Sequence, residues 1–353
     1  MKSALRELPG CETPESPGAA KRARVLSREE YREGILRGDR AVLARAVTLI
    51  ESCRKQDREL AERIVEDCLP HCCESIRLGI TGVPGAGKSS LIEALGRFLI
   101  AEQKQKVAVL AIDPSSRISG GSILGDKTRM PMLAASEMAF IRPSPSRGMA
   151  GGVAQRTREV MLLCEAAGYR NILVETVGVG QSETAVHEMV DFFLLITLAG
   201  AGDELQGIKR GVMELADLVA VNKADEPNVE AAERARGEAQ GALHFFPASR
   251  SGWTPRAVTC SARTGSGIRE LWECVLEHAA MTRANGWFAV SRREQQRRWM
   301  HEVIDQSLRH RFDAHAGVRE RIEMLEYDVA EGRTTPFRAA RTLLAAYSEP
   351  EGA

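Results

Sequence analysis

Residues 82–89 read Gly82-Val83-Pro84-Gly85-Ala86-Gly87-Lys88-Ser89 and meet the spacing G-x-x-x-x-G-K-[ST]. Each residue type has a use against phosphate. The glycines let successive backbone N–H groups curl around phosphate oxygens, and a helix starting near Ser90 adds a favourable potential at its N-terminus. In this pattern Lys88 reaches the β- and γ-phosphates of a nucleotide, and the Ser89 hydroxyl is a ligand for Mg²⁺. Residues 82–90 are the expected phosphate cradle.

A second cluster selects the base. Asn222-Lys223-Ala224-Asp225 closes the apolar run that starts at Asp217. A carboxylate at Asp225 accepts two hydrogen bonds from guanine N1–H and the 2-amino group; adenine has no such pair of donors. Alone, the tetrad reads equally as a strand-end turn. Downstream of a phosphate loop, and followed by Ser261-Ala262-Arg263, it points to GTP, with backbone N–H groups near Ala262 at the guanine oxygen.

Two acids close other apolar runs. Asp113 ends residues 107–113, and Glu175 lies near the end of 171–176, ahead of Gly178 and Gln181. A carboxylate at the C-terminal end of a parallel strand faces the ligand crevice and can hold Mg²⁺ directly or through water. Gly178 lets a backbone N–H approach the γ-phosphate. Asp126, on the Gly-rich stretch 120–130, is a further candidate metal or water contact. Gln181 reads as a water-orienting amide or as a helix cap.

These residues need a scaffold that brings strand ends to one edge. Apolar, β-rich runs at 76–82, 107–113, 171–176, 192–198, 217–222 and 257–262 alternate with helical stretches. That alternation predicts an α/β fold with a mostly parallel sheet and helices on both faces. Ser27 to about Pro70 is helical in pattern, opening on the capping box Ser27-Arg-Glu-Glu30. Leu36, Leu43, Val47 and Ile50 form one stripe, and a second helix carries Leu60, Ile64, Cys68 and Leu69. Helical patterning returns after Met281, with stripes at Trp299, Val303 and Ile304 and at Val318, Ile322, Leu325 and Val329. Thr335-Pro336 reads as an N-cap followed by proline at the first helical position. The expected organisation is a disordered tail (1–26), an N-terminal helical segment (27–75), a GTPase domain (76–280) and a C-terminal helical segment (281–353).

Composition excludes several classes. Lys plus Arg and Asp plus Glu both number 48 in a chain of 353 residues, so no global basic field favours nucleic acid or an anionic membrane. The N-terminal residues lack the apolar core of a secretory signal, and no stretch approaches the roughly 20 apolar residues that span a bilayer. Eight scattered cysteines suit reduced thiols, and a cytoplasmic location is expected. His71-Cys72-Cys73 lacks a second ligand pair at zinc-site spacing and reads as soft, half-buried residues at a helix end.

The stretches GVPGAGKSS, AIDPSS, GGSILGDKTRM, IRPSPSRGMAGGVAQRT, ETVGVGQSE, GDELQGIKRG and VNKAD together resemble the MeaB/ArgK family of P-loop GTPases. The resemblance extends over about residues 27 to 348. It implies a GTP-hydrolysing chaperone of an adenosylcobalamin-dependent acyl-CoA mutase, most often methylmalonyl-CoA mutase. Such a protein gates cofactor loading and protects the mutase, and it binds adenosylcobalamin only through that partner. The resemblance also implies a homodimer formed by the C-terminal helices; those helices could alternatively pack on their own GTPase domain. By position it makes Lys88 and Ser89 the phosphate and Mg²⁺ residues and Asp225 the guanine reader. Asp113, Asp126 and Glu175 become the acids around magnesium.

The loop LAGAGDELQGIKRG, residues 198–211, leaves the strand between those carrying Glu175 and Asn222. The resemblance makes it an extra switch that contacts the mutase, with Gln206 and Lys209 coupling contact to hydrolysis. Lys209 reads otherwise as a solvated lysine. Two rival activities are a kinase acting on a periplasmic amino-acid (Lys/Arg/ornithine) transport component and a metal-insertion GTPase. The first needs an acceptor pocket, and the second a Cys- or His-rich tract, which the sequence lacks.

Overall fold

The computed structural model describes residues 26–52, 54–113, 129–145, 150–176, 182–199 and 210–348. Seven strands among them form one sheet in the order β3-β2-β4-β1-β5-β6-β7. Their bounds are β1 Ile76–Gly82, β2 Val107–Asp113, β3 Ala139–Pro145, β4 Asn171–Thr176, β5 Phe192–Leu198, β6 Leu218–Asn222 and β7 Arg256–Thr259. Every pairing is parallel. The chain leaves β1 to build one half of the sheet and then crosses to the other side for β5 to β7. β1 thus stands where the strand order reverses, the place at which open α/β sheets bind ligands.

Parallel strands need helical crossovers, and these bury both faces of the sheet. Helix α4 (Lys88–Ala101) follows β1, and α5 (Pro131–Ala135) precedes β3. Helix α6 (Ala150–Ala166) leads into β4, α7 (Ser182–His187) into β5 and α8 (Arg210–Glu214) into β6. Helix α9 (Val229–Leu243) joins β6 to β7, and α10 (Ile268–Ala284) follows β7. The strands sort their side chains with the period of two that a pleat imposes. In β2, Val107 and Val109 enter the core beneath α4 and α10, whereas Ala108, Leu110 and Ile112 enter the core on the opposite face.

That opposite core is completed by the N-terminal helices α1 (Arg28–Leu36), α2 (Arg40–Glu51) and α3 (Lys55–Cys68). Ile35, Leu43, Val47 and Ile64 are fully buried there with Val160 and Met161 of α6. At about 1.5–3 kcal/mol per buried large aliphatic side chain, these four fasten the segment to the sheet. The capping box at Ser27 forms as expected.

The N-terminal pattern contains one break that the apolar stripe hides. Gly38, at φ +76°, ends α1, and the Asp39 carboxylate caps α2 by accepting from Ala41 and Val42 N–H. The expected single helix over 27–50 is therefore two. Leu69 lies past the end of α3 and is exposed. Strand β3 was not among the expected strands. Pro143 and Pro145 make the run AFIRPSP a poor ladder donor, which an edge strand tolerates, and β3 is the edge. β7 ends at Thr259, so Ser261 and Ala262 lie in the loop beyond it.

Three further helices follow: α11 (Trp287–Ala314), α12 (Ala316–Ala330) and α13 (Pro336–Ser348). Arg338 N–H donates to Thr335 Oγ1 at 3.3 Å, so the Thr-Pro start caps α13 as expected. The first turns of α11 are tied to the sheet. Arg292 donates to both Asp191 oxygens, at 2.5 and 2.7 Å, and Gln295 Nε2 donates to Val190 O at 2.7 Å. Beyond that, the stripe begun by Trp299 turns outward, and Met300, Ile304 and Leu308 are exposed.

Candidate functional site

The phosphate loop joins β1 to α4. Two of its glycines are required by geometry. A Cβ on Gly82 would run into the carbonyl oxygen of Ile196 on neighbouring β5, and one on Gly87, at φ +85°, would lie 2.7 Å from Asn222 Nδ2. Helix α4 starts at Lys88 with no side-chain cap, so its first N–H groups are left for an anion. The Lys88 ammonium donates to Gly82 O at 2.8 Å and to Val83 O at 3.2 Å. Burial draws its pKa below the ordinary lysine value, against the opposing pull of Glu175 and Glu183. An arriving phosphate would reverse that burial penalty by supplying negative charge.

Ser89, in the first turn of α4, meets Glu175 of β4. The Ser89 hydroxyl donates to Glu175 Oε1 at 3.0 Å, and Glu175 is 3% exposed. A hydroxyl and a carboxylate at that separation are two hard oxygen donors, the chemistry Mg²⁺ prefers, so the residues present fit the ion. Thr176 Oγ1 donates to Thr81 Oγ1 at 2.8 Å, which locks the end of β4 to β1 and fixes where Glu175 points. Asp113 is the last residue of β2, whose neighbour is β4, so its backbone lies on the same sheet edge.

The guanine end is held to the phosphate end by one side chain. Asn222, 1% exposed at the close of β6, donates through Nδ2 to Ala86 O at 2.8 Å. Its Oδ1 accepts from Ala262 N–H at 3.1 Å and from the Cys260 thiol at 3.8 Å. The Ala262 N–H expected at the guanine oxygen is thus engaged by Asn222 here. Lys223 takes the left-handed conformation, φ +60°, which costs about 1–2 kcal/mol for a side chain with a Cβ. Ala224 N–H donates to Cys260 O at 3.0 Å and helps hold the turn. Asp225 Oδ1 accepts from Ser261 Oγ at 2.9 Å, and Oδ2 is ion-paired with Arg263.

The structure brings Gly82 through Ser90, Asp113, Glu175, Asn222, Lys223, Asp225, Ser261 and Ala262 to the ends of β1, β2, β4, β6 and β7. Asp126, Gly178, Gln181, Gln206 and Lys209 lie outside the described residues. Two contributors were missed. Arg263 is ion-paired with Asp225, the carboxylate expected to read guanine, and its only sequence signal was its place after Ser261-Ala262. Glu183, 1% exposed at the start of α7, is near enough to Lys88 to raise its pKa. In sequence it is only an acid at a helix start. At His71-Cys72-Cys73 the thiols are spent on backbone: Cys72 donates to Leu162 O and Cys73 to Tyr169 O, at 3.4 and 3.7 Å. Burial pushes the Cys72 thiol up to about 12.

No helix among the described residues is long and apolar enough to cross a membrane. The family model for the methylmalonyl Co-A mutase-associated GTPase MeaB matches residues 43–316. A putative GTPase of Caulobacter vibrioides is 49% identical over 323 residues, covering 92% of this chain and 98% of its own. GTPase ArgK of Escherichia coli K12 is 49% identical over 276 residues, 78% of this chain and 83% of its own. The methylmalonic aciduria type A homolog, mitochondrial, of Mus musculus is 44% identical over 324 residues, 89% of this chain and 78% of its own. Among solved structures, the LAO/AO transport system kinase superposes with a TM-score of 0.72 at 36% identity, covering 93% of this chain and 99% of that one. A phosphate loop after β1, a guanine motif after β6 and relatives matched over most of their length agree: the chain belongs to the MeaB family of methylmalonyl-CoA mutase-associated GTPases.

Proposed function

We propose that this protein hydrolyses GTP to GDP and phosphate as the switch of a chaperone for an adenosylcobalamin-dependent acyl-CoA mutase, methylmalonyl-CoA mutase in the first instance. The observation that carries the nucleotide half is Asn222, one buried side chain bonded to both the phosphate loop and the loop that carries the guanine-side N–H. Supporting the client half are the family description and the 44% identity to the mouse methylmalonic aciduria type A homolog.

When bound, Mg²⁺ would supply charge neutralisation at the phosphates. Ser89 and Glu175 would hold it, with Asp113 and Asp126 as the further acids. The chain's own residues do the rest. The N–H groups of residues 85–90 orient the phosphates, and Lys88 transfers its hydrogen bonds from Gly82 and Val83 to phosphate oxygen. Asp225 reads the guanine edge once Arg263 gives way. Gly178, Gln181, Gln206 and Lys209 are assigned to γ-phosphate sensing, water positioning and partner coupling. Among the described residues the acids near Lys88 are Glu175, which accepts from Ser89, and the buried Glu183, and both have partners of their own. Basal turnover is therefore slow, and the mutase accelerates it.

The segment 281–353 is assigned to homodimerisation. Met300, Ile304 and Leu308 repeat every four residues on α11, each between 44% and 53% exposed, and Met324, Phe337 and Leu344 add to the apolar surface of α12 and α13. Such a stripe calls for a partner face. Segment 27–75 is assigned to bracing the 76–280 nucleotide domain. Cytoplasmic location belongs to the same proposal.

Co-purification with candidate acyl-CoA mutases, followed by GTPase assays with and without each, tests the reading. Partner-stimulated phosphate release supports it. Absence of both stimulation and any effect on cofactor loading overturns it.

A further inference from the structure

The end of the sheet away from the phosphate loop holds a second pocket. It has a volume of ≈ 230 Å³ and lies between the starts of β5 and β6 and helices α10 and α11. β5 runs seven residues, so at about 3.3 Å per residue the pocket is roughly 20 Å from the nucleotide edge.

Its walls carry five charged side chains, Asp191, Asp217, Arg250, Glu294 and Arg298, and three are already matched. The Arg250 guanidinium lies 3.3 Å from Glu294 and over the Trp287 ring. Asp191 takes both bonds from Arg292. Two charges remain. Asp217 accepts one backbone N–H, that of Phe193, at 2.9 Å, and no cation among the described residues contributes to its electrostatics. Arg298, exposed at the mouth, has no acidic partner among the described residues. No ion pair joins the two, and Arg298 lies near enough to His187 to help lower its pKa. One pocket therefore has an unmatched carboxylate inside and an unmatched guanidinium at its rim.

An independent observation marks the interior as polar. His278 is 4% exposed, wedged edge-on between Phe192 and Trp253 at centroid distances of 5.0 and 5.2 Å. Its ring lines the pocket without a hydrogen-bond partner among the described residues. Burial holds it neutral, with its pKa lowered to about 4, so it offers one donor and one acceptor.

We propose that this pocket binds a small zwitterion, its ammonium group on Asp217 and its carboxylate on Arg298. A lone cation leaves Arg298 unmatched, and a lone anion meets Asp217 with like charge. A molecule carrying both charges satisfies both ends, and the neutral imidazole serves a polar atom between them. Burial without a counter-charge pushes Asp217 up to about 7; an ammonium beside it restores the ionised form. The α-amino and ω-amino acids are the chemical class. The site makes no use of the GTP-binding residues, so its fate is independent of theirs.

The test uses the full chain with GDP bound. The probes are glycine, the common α-amino acids and ω-amino acids of increasing length, with acetate and methylammonium as controls. Thermal shift and titration calorimetry are the readouts. At least one zwitterion binds and raises the melting temperature, and neither control does so at the same concentration. R298Q, on an exposed position, and D217N, which keeps an oxygen for Phe193 N–H, each weaken that binding tenfold or more while GDP affinity is unchanged. Three results would overturn the site: no probe binds, a control binds as well as its zwitterion, or binding survives both substitutions.

Discussion

Asn222→Ala removes the side chain that joins the phosphate loop to the loop after β7. Two backbone groups lose their partner, Ala86 O and Ala262 N–H. Ala86 is fully buried, so its carbonyl bears an unsatisfied-acceptor penalty of about 1–3 kcal/mol. Ala262 is only half-buried, and water offsets part of its loss, leaving about 1 kcal/mol. The total is about 2–4 kcal/mol. Without nucleotide the phosphate loop can relax and let water reach Ala86 O, deferring part of the penalty to nucleotide binding, which reimposes the loop. The quantity to measure is therefore a sum: the loss in unfolding free energy by urea titration without nucleotide, plus the loss in GDP binding free energy by fluorescent-nucleotide titration. If binding carries all of it, affinity falls by about thirty- to a thousand-fold, at 1.4 kcal/mol per decade. A sum within about 0.5 kcal/mol of zero would refute the claim that Asn222 holds the loop.

Other residues give sharper single readouts. Asp225→Asn exchanges an acceptor for a donor, so GTP affinity should fall at least about a hundred-fold, while xanthosine triphosphate binding improves; unchanged GTP affinity would remove Asp225 as the base reader. His278 is buried neutral, its pKa lowered from 6.5 to about 4. The unfolded state then binds more protons below pH 6.5, so native stability is lost as pH falls from there toward 4. Relative to His278→Phe, the wild type should lose about 3 kcal/mol of unfolding free energy over that window, and parallel curves would sink the assignment. Ile304→Asp places a charge in the exposed stripe of α11 and should shift the proposed dimer to monomer in sedimentation equilibrium with GTP binding intact. Lys209→Ala should leave GTP binding within about twofold and blunt mutase-stimulated turnover; full stimulation would return that loop to an ordinary connection.

The parts of the fold that were legible in the sequence are those set by local rules. β1 through Ser89 is read from the phosphate motif, and the largely buried β5 and fully buried β6 from continuous apolar runs. β3 was not legible, because its two prolines argue against a strand and only its position at the sheet edge makes them tolerable. The break at Gly38 was masked by an apolar stripe that runs on through both helices. At the site, residue types predicted the ends of β1, β4 and β6 well, since the chemistry demands them. Asn222 bridging to Ala86, Arg263 pairing with Asp225 and Glu183 approaching Lys88 each join positions 38 or more residues apart, which only packing brings together. The pocket around His278 is illegible for the same reason: its two unmatched charges, Asp217 and Arg298, belong to different layers of the fold.

A GTP switch read by a mutase is put to the test by the fate of γ-labelled phosphate on GTP incubated with this protein, with and without an adenosylcobalamin-dependent acyl-CoA mutase. Label should appear in free inorganic phosphate, released slowly by the protein alone and faster with the mutase. Label carried stably on another protein, or release that the mutase leaves unchanged, would contradict it.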